Sequence, residues 1–151
     1  MKDFQIEIDS KQIHGVECGE TSHLLVVCLY GLTNNALGFT EMANALKENF
    51  HVVSIDLLGH GITQSFNDEH SYSFVAMSEW LNIVTTSITS SPVYLLGHSW
   101  GCDRTSLQWT ISKNGRRSHH ARWRLYTIFR RLFYDGRRAF ESLEVGEQES
   151  I

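Results

Sequence analysis

The chain has 151 residues, 42% hydrophobic and 20% charged, with a formal net charge of −4. That length supports one domain with a real core, and the composition is that of an ordinary soluble globular protein. The longest apolar run, residues 23–30, falls far short of the ~18 residues a membrane-spanning helix needs. Met1-Lys2-Asp3-Phe4-Gln5 has neither the basic start nor the apolar run of a signal peptide, so a cytoplasmic protein is expected. Three cysteines (Cys18, Cys28, Cys102) are an odd number without metal-ligand spacing and read as reduced thiols, used as small buried hydrophobes.

In chain order, Gln5-Ile6-Glu7-Ile8 alternates polar and apolar as a half-buried strand does, and residues 12–17 do so less cleanly. Together they predict an antiparallel opening pair. Leu24-Leu25-Val26-Val27-Cys28-Leu29 is an uninterrupted apolar strand, the pattern of a parallel sheet's interior. Phe39, Met42, Ala43, Leu46 and Phe50 then recur at helical spacing, with Glu41, Lys47 and Glu48 on the other face. Residues 51–56 form the next strand, and a glycine-containing loop over 57–68 leads to a second helix whose buried stripe is Phe74, Met77, Leu81, Val84 and Ile88. Pro92 precedes a third buried strand, Val93-Tyr94-Leu95-Leu96. Strands alternating with helices of this length predict an α/β fold: a mostly parallel sheet with right-handed crossovers and helices on both faces.

Charge divides the chain in two. Residues 1–101 hold three lysines, no arginine and eleven acids, a net −8, whereas residues 102–151 hold nine arginines, one lysine and six acids, a net +4. The change falls immediately after the most informative motif, Gly97-His98-Ser99-Trp100-Gly101, which fits G-x-S-x-G. A serine on a sharp strand-to-helix turn sits at a strained backbone angle, so residues two before and two after must lack side chains for the chain to pass. The turn exposes the hydroxyl and aims the next helix's N-terminus at a developing oxyanion. Alone the pattern is weak: with glycine at ~7% of residues, roughly one chain in twenty of this length carries it by chance.

Two further segments add to it. Leu29-Tyr30-Gly31-Leu32-Thr33-Asn34-Asn35 follows the third strand, and Asp56-Leu57-Leu58-Gly59-His60-Gly61-Ile62-Thr63 follows the fourth. With these in place, residues 1–101 resemble the N-terminal portion of an α/β-hydrolase, in the esterase and lipase-like branch. The first segment is similar to the family's His-Gly-x oxyanion loop and the second to its D-x-x-G-H-G-x-S loop. The resemblance implies Ser99 as nucleophile, with the backbone N–H groups of Leu32 and Trp100 as oxyanion hole and Gly97 and Gly101 as elbow glycines. It also implies a scaffold role for Asp56, Gly59, His60, Gly61 and His98. The family usually has histidine where Tyr30 stands, so the loop's side-chain hydrogen bonds differ here. His14, His23, His51 and His70 read as surface or strand-end residues. The implied activity is hydrolysis of an ester or similar acyl bond in a small-molecule substrate, with no metal or organic cofactor.

Residues 102–151 form a basic tail without family resemblance, expected to be irregular or a non-native helix. Cys102-Asp103-Arg104-Thr105-Ser106 puts charge where the family has a packed helix, and no buried strand follows. Asp135, His119 and His120 exist in the tail, but no motif places them near Ser99, so the triad acid and base are not identifiable and a truncated, inactive form is expected. Read one base later, His119-His120-Ala121-Arg122-Trp123-Arg124-Leu125 can encode Ile-Met-Leu-Asp-Gly-Gly-Phe, a string similar to the family's next strand. The same shift lets residues 102–106 encode Ala-Thr-Ala-Leu-Ala. The favoured reading is therefore a one-base insertion near codon 101. The alternative is a non-enzymatic protein whose tail carries Leu125, Ile128, Phe129 and Leu132 on one helical face, flanked by Arg122, Arg124, Arg130 and Arg131. Such a tail would bind a membrane surface or, through Trp123, Tyr126, Phe133 and Tyr134, nucleic acid. On the favoured reading neither partner is expected, and nothing in the sequence sets an oligomeric state.

Overall fold

The computed structural model describes residues 1–101 and, as backbone, residues 123–127. The chain opens with β1 (Lys2–Ile8) and β2 (Lys11–Cys18), paired antiparallel with Ile8 opposite Lys11. Only Asp9 and Ser10 remain for the turn, and both take positive φ, 50° and 61°. That is the two-residue geometry whose twist matches a hairpin's strands.

β3 (Leu24–Leu29) follows. A 3₁₀ turn over Ala36–Phe39 then leads into α1 (Thr40–Leu46) and β4 (Phe50–Ile55). Phe50, placed by spacing on the helix, instead opens β4 opposite Leu24. The helix ends earlier because the chain turns at 46–49, where the Asn49 N–H donates to the Leu46 carbonyl (3.0 Å). A second 3₁₀ turn, Glu69–Tyr72, precedes α2 (Phe74–Ile88), capped by the Ser73 hydroxyl accepting from the Ala76 N–H. Its buried residues are Met77, Ser78, Trp80, Leu81, Val84 and Thr85. The stripe is rotated from the one expected: Phe74, in the first turn, is 48% exposed, and Trp80 takes a place in the core.

β5 (Val93–Gly97) follows, and Trp123–Thr127 adds β6 in parallel beside it. This last strand corrects the expected tail. Leu125 lies in a strand register opposite Leu95, not on a helical face, because the free edge of β5 offers a full row of backbone donors and acceptors to any extended segment. Trp123, Arg124 and Tyr126 belong to the same strand, in register with Val93, Tyr94 and Leu96, and the remaining tail residues singled out above lie outside the described residues.

The six strands run in the order β1-β2-β4-β3-β5-β6, with β2 antiparallel to β4 and β3 parallel to both β4 and β5. The crossovers β3-α1-β4 and β4-α2-β5 step in opposite directions across the sheet. Right-handedness therefore puts α1 and α2 on opposite faces. Residues 25–29 of β3 and 51–55 of β4 are accordingly buried on both faces, as their unbroken apolar runs require. The strand order reverses at β3, and in open α/β sheets the crevice beyond such a switch point is where ligands bind. Among the described residues no helix is long and apolar enough to cross a membrane.

The core rests on side chains such as Leu95, 1% exposed in β5. Leu95→Ala is expected to lower stability by about 2–5 kcal/mol, read as a fall in the urea midpoint with little change in slope.

Candidate active site

Ser99 stands immediately past the C-terminal end of β5, with φ of 55°. For a residue with a Cβ this left-handed conformation costs of order 1–2 kcal/mol, and it is the strained elbow that G-x-S-x-G predicts. Two backbone bonds fasten the turn: the His98 N–H donates to the Leu29 carbonyl (2.9 Å) and the Gly101 N–H to the His98 carbonyl (3.0 Å). Trp100 and Gly101 open a helical turn. A Cβ on Gly101 would overlap the Leu29 carbonyl oxygen, so the elbow passes under β3 only because that side chain is missing. Gly97 closes β5 in register with Leu29 on one side and Thr127 on the other.

The loop after β3 lies against the serine. A Cβ on Gly31 would sit 2.9 Å from the Ser99 Cβ and 3.1 Å from its Oγ. The same loop carries Leu32, 57% exposed, and Thr33 at a φ of 73°. Tyr30, which replaces the family's usual histidine, is fully buried. Its hydroxyl accepts from the Leu57 N–H (2.8 Å) and faces Asp56 Oδ1 at 3.5 Å. Burial, followed by the Asp56 charge, pushes this hydroxyl above its ordinary range and keeps it a neutral donor.

Asp56, 2% exposed at the end of β4, organises both loops. Its carboxylate accepts from the Ala36 N–H (2.7 Å) in the loop after β3 and the Ile62 N–H (3.0 Å) in the loop after β4. His14 of β2 completes the shell, its Nδ1 lying 2.7 Å from Asp56 Oδ2. The expected scaffold role of Asp56 is what the structure shows. His60 lies in the loop after β4, its Nδ1 3.0 Å from the Leu58 carbonyl. Its ring stands between Tyr30 and Trp100, with centroids 6.0 Å and 5.8 Å away, so one aromatic row links the three loops. Gly59 and Gly61, on either side, both take positive φ.

Two histidines differ from expectation. His14 is 7% exposed and His51 is 6% exposed; His51 Nε2 pairs with Glu17 Oε2 at 2.8 Å. Both stand in strands covered on two faces, where an imidazole is tolerated only with a partner. The available signal was Asp56 itself, since a carboxylate at the end of a buried strand demands nearby donors. Cys18 and Cys28 are free thiols, and burial pushes both above the usual thiol range. Among the described residues no group of histidine, cysteine and acidic side chains is arranged to hold a metal. Asp135, His119, His120 and Cys102 lie outside the described residues.

The alpha/beta hydrolase fold family model matches residues 25–110. The human serine hydrolase-like protein is 28% identical over 76 residues, which are 50% of this chain and 37% of that protein. Mouse epoxide hydrolase 4 is 25% identical over 97 residues, 64% of this chain and 27% of its own length. Among solved structures, the thioesterase domain from the curacin biosynthetic pathway aligns with a TM-score of 0.69 at 26% identity, covering 75% of this chain and 40% of that one. An epoxide hydrolase from Vigna radiata aligns with a TM-score of 0.70 at 19% identity, over 82% and 39% of the two chains, a likeness of fold. This chain therefore spans only about a quarter to two fifths of the proteins it matches.

Gly101→Ala is expected to destabilise the protein by about 1–3 kcal/mol through overpacking, measured as a lower urea midpoint. Wild-type stability in this variant would show that the elbow does not pass under Leu29 as described.

Proposed function

The chain belongs to the alpha/beta hydrolase family, and from that premise we propose that it is a serine hydrolase by descent, acting on ester or similar acyl bonds through Ser99. The observation that carries this reading is the positive φ of Ser99 at the end of a parallel strand, with the Gly31 backbone packed against its hydroxyl. In this role the N–H groups of Leu32 and Trp100 hold the oxyanion, Gly97 and Gly101 permit the turn, and the ligand is a small acyl substrate.

Serine also decides between the two kinds of chemistry named among the relatives. Attack of Oγ on a carbonyl gives an acyl-enzyme ester that water can cleave, returning the serine. Attack of Oγ on an epoxide carbon would open the ring but leave an alkyl ether on the enzyme, which water does not cleave under such conditions. A hydroxyl nucleophile at this position therefore favours acyl substrates over epoxides.

Turnover needs a base for the serine proton and an acid to orient the base, and the tail supplies no motif for either. We therefore read residues 1–101 as the N-terminal part of the hydrolase domain and 102–151 as a segment translated out of frame, leaving the 151-residue chain with impaired catalysis. The charge change at residue 101 supports this reading. The free thiols of Cys18 and Cys28 suit a cytoplasmic setting.

Incubation with a fluorophosphonate, followed by peptide mass spectrometry, is expected to show a slow adduct on Ser99 that is absent in Ser99→Ala. An adduct elsewhere, or none, would remove Ser99 as nucleophile. Fast labelling with turnover of an aryl ester would instead overturn the impaired state. Sequencing the gene through codons 95–160 tests the frame: the +1 frame is expected to stay open past codon 151 and to supply an aspartate and a late histidine. Immediate closure of that frame would make the tail genuine.

A further inference from the structure

His14 lies on β2, away from every motif of the elbow, yet it is tied to the site at several points. Its backbone carbonyl accepts from the Asp56 N–H (2.9 Å), and its N–H donates to Thr63 Oγ1 (2.9 Å). Its ring stands between two carboxylates, Nδ1 at 2.7 Å from Asp56 Oδ2 and Nε2 at 3.1 Å from Asp3 Oδ1. A neutral imidazole has one donor and one acceptor, so it would turn a lone pair toward one of these carboxylates. Only the imidazolium satisfies both.

The two carboxylates are not equivalent. The Asp3 side chain is 81% exposed, and water can replace it. The Asp56 side chain is 2% exposed, and there the imidazolium is the counter-charge of a buried anion. That anion holds the Ala36 and Ile62 N–H groups, and the Tyr30 hydroxyl beside it holds the Leu57 N–H. These bonds fix the loop that brings Gly31 to Ser99.

We propose that His14 is a positioning residue for acyl transfer, setting the oxyanion loop through the Asp56 carboxylate and releasing that loop when the imidazole loses its proton. The proposal rests on Ser99 and the Leu32 N–H acting as described above. Asp56, Asp3 and, through Asp56, the Tyr30 hydroxyl are the titratable groups that face the ring among the described residues. Burial works against the imidazolium, but the hydrogen bonds and charges of Asp56 and Asp3 outweigh it, so the group titrates above its ordinary value of 6.5. With the folded value raised, the stabilisation is complete below about pH 6.5 and is lost as pH rises through the folded value.

The test uses the full chain with His14→Gln, which keeps a donor for Asp56 but no charge, and His14→Phe, which keeps neither. Hydrogen exchange followed by mass spectrometry should show the segments 30–37 and 57–63 exchanging at least about tenfold faster in His14→Phe, while 93–97 is unchanged. His14→Gln, a donor without the charge, should show at every pH the reduced protection that the wild type reaches only at high pH. In the wild type, protection of both loops should fall as pH rises above neutrality, after correction for intrinsic exchange, whereas in His14→Gln it should be flat. The rate of fluorophosphonate labelling at Ser99 should follow the same profiles. Unchanged loop protection in His14→Phe, or a wild-type pH profile in His14→Gln, overturns the proposal. Should His14→Phe not fold, the pH profile of His14→Gln decides alone. Absence of labelling in the wild type would count against Ser99 as nucleophile and leave the exchange result to decide the role of His14.

Discussion

The arrangement around Ser99 depends on one buried carboxylate. Asp56 gathers donors from β2, from the loop after β3 and from the loop after β4, which lie 42, 20 and 6 positions from it in sequence. An anion in a site this dry is tolerated only when its lone pairs are occupied and its charge is answered. The converse also holds. The roots of both loops are seated in the core by Tyr30, Leu57 and Leu58, and the shared acceptor ties the glycine and polar stretches beyond them to one conformation. Tyr30 extends the same logic: a residue larger than the family's usual histidine fills the space between Asp56 and Leu57 and joins them through a single oxygen.

The strained backbone at Ser99 needs the same support from below. A left-handed residue with a Cβ relaxes unless its neighbours forbid it. Here the prohibition comes from β3: the Leu29 carbonyl binds the His98 N–H and also fills the space a side chain at 101 would need. β3 therefore holds the elbow on one side and launches, on the other, the loop that packs Gly31 against Ser99. That is the physical content of a strand order that reverses at β3.

Much of this was legible in the residues. The unbroken apolar runs of β3 and β4 required a sheet covered on both faces, and the three loop motifs each fell where a strand ends. What the sequence did not reveal depends on side chains meeting across the sheet. His14 read as unremarkable because its partner is 42 positions away, and no local pattern encodes that meeting. Phe74 and Trp80 exchanged places in the core because spacing fixes a helical stripe only to within a residue or so of rotation. The strand at Trp123–Thr127 went unread because arginine-rich composition argues against a core strand, whereas an open edge recruits backbone and is indifferent to much of the side-chain pattern.

The parallel pairing of β3 with β5 joins Leu25 to Val93, so these partners are far apart in sequence. Contacts that distant form late, after the loop between them has lost its freedom. During synthesis, β3 and β4 can pair as soon as residue 55 is available, but the opposite edge of β3 stays open until residue 97 has emerged. Throughout that interval a long apolar strand presents unpaired amides to whatever lies nearby, including another nascent chain. The segment that ends this exposure is β5, and β5 carries the elbow. Closing the vulnerable edge and placing the serine are thus one folding event.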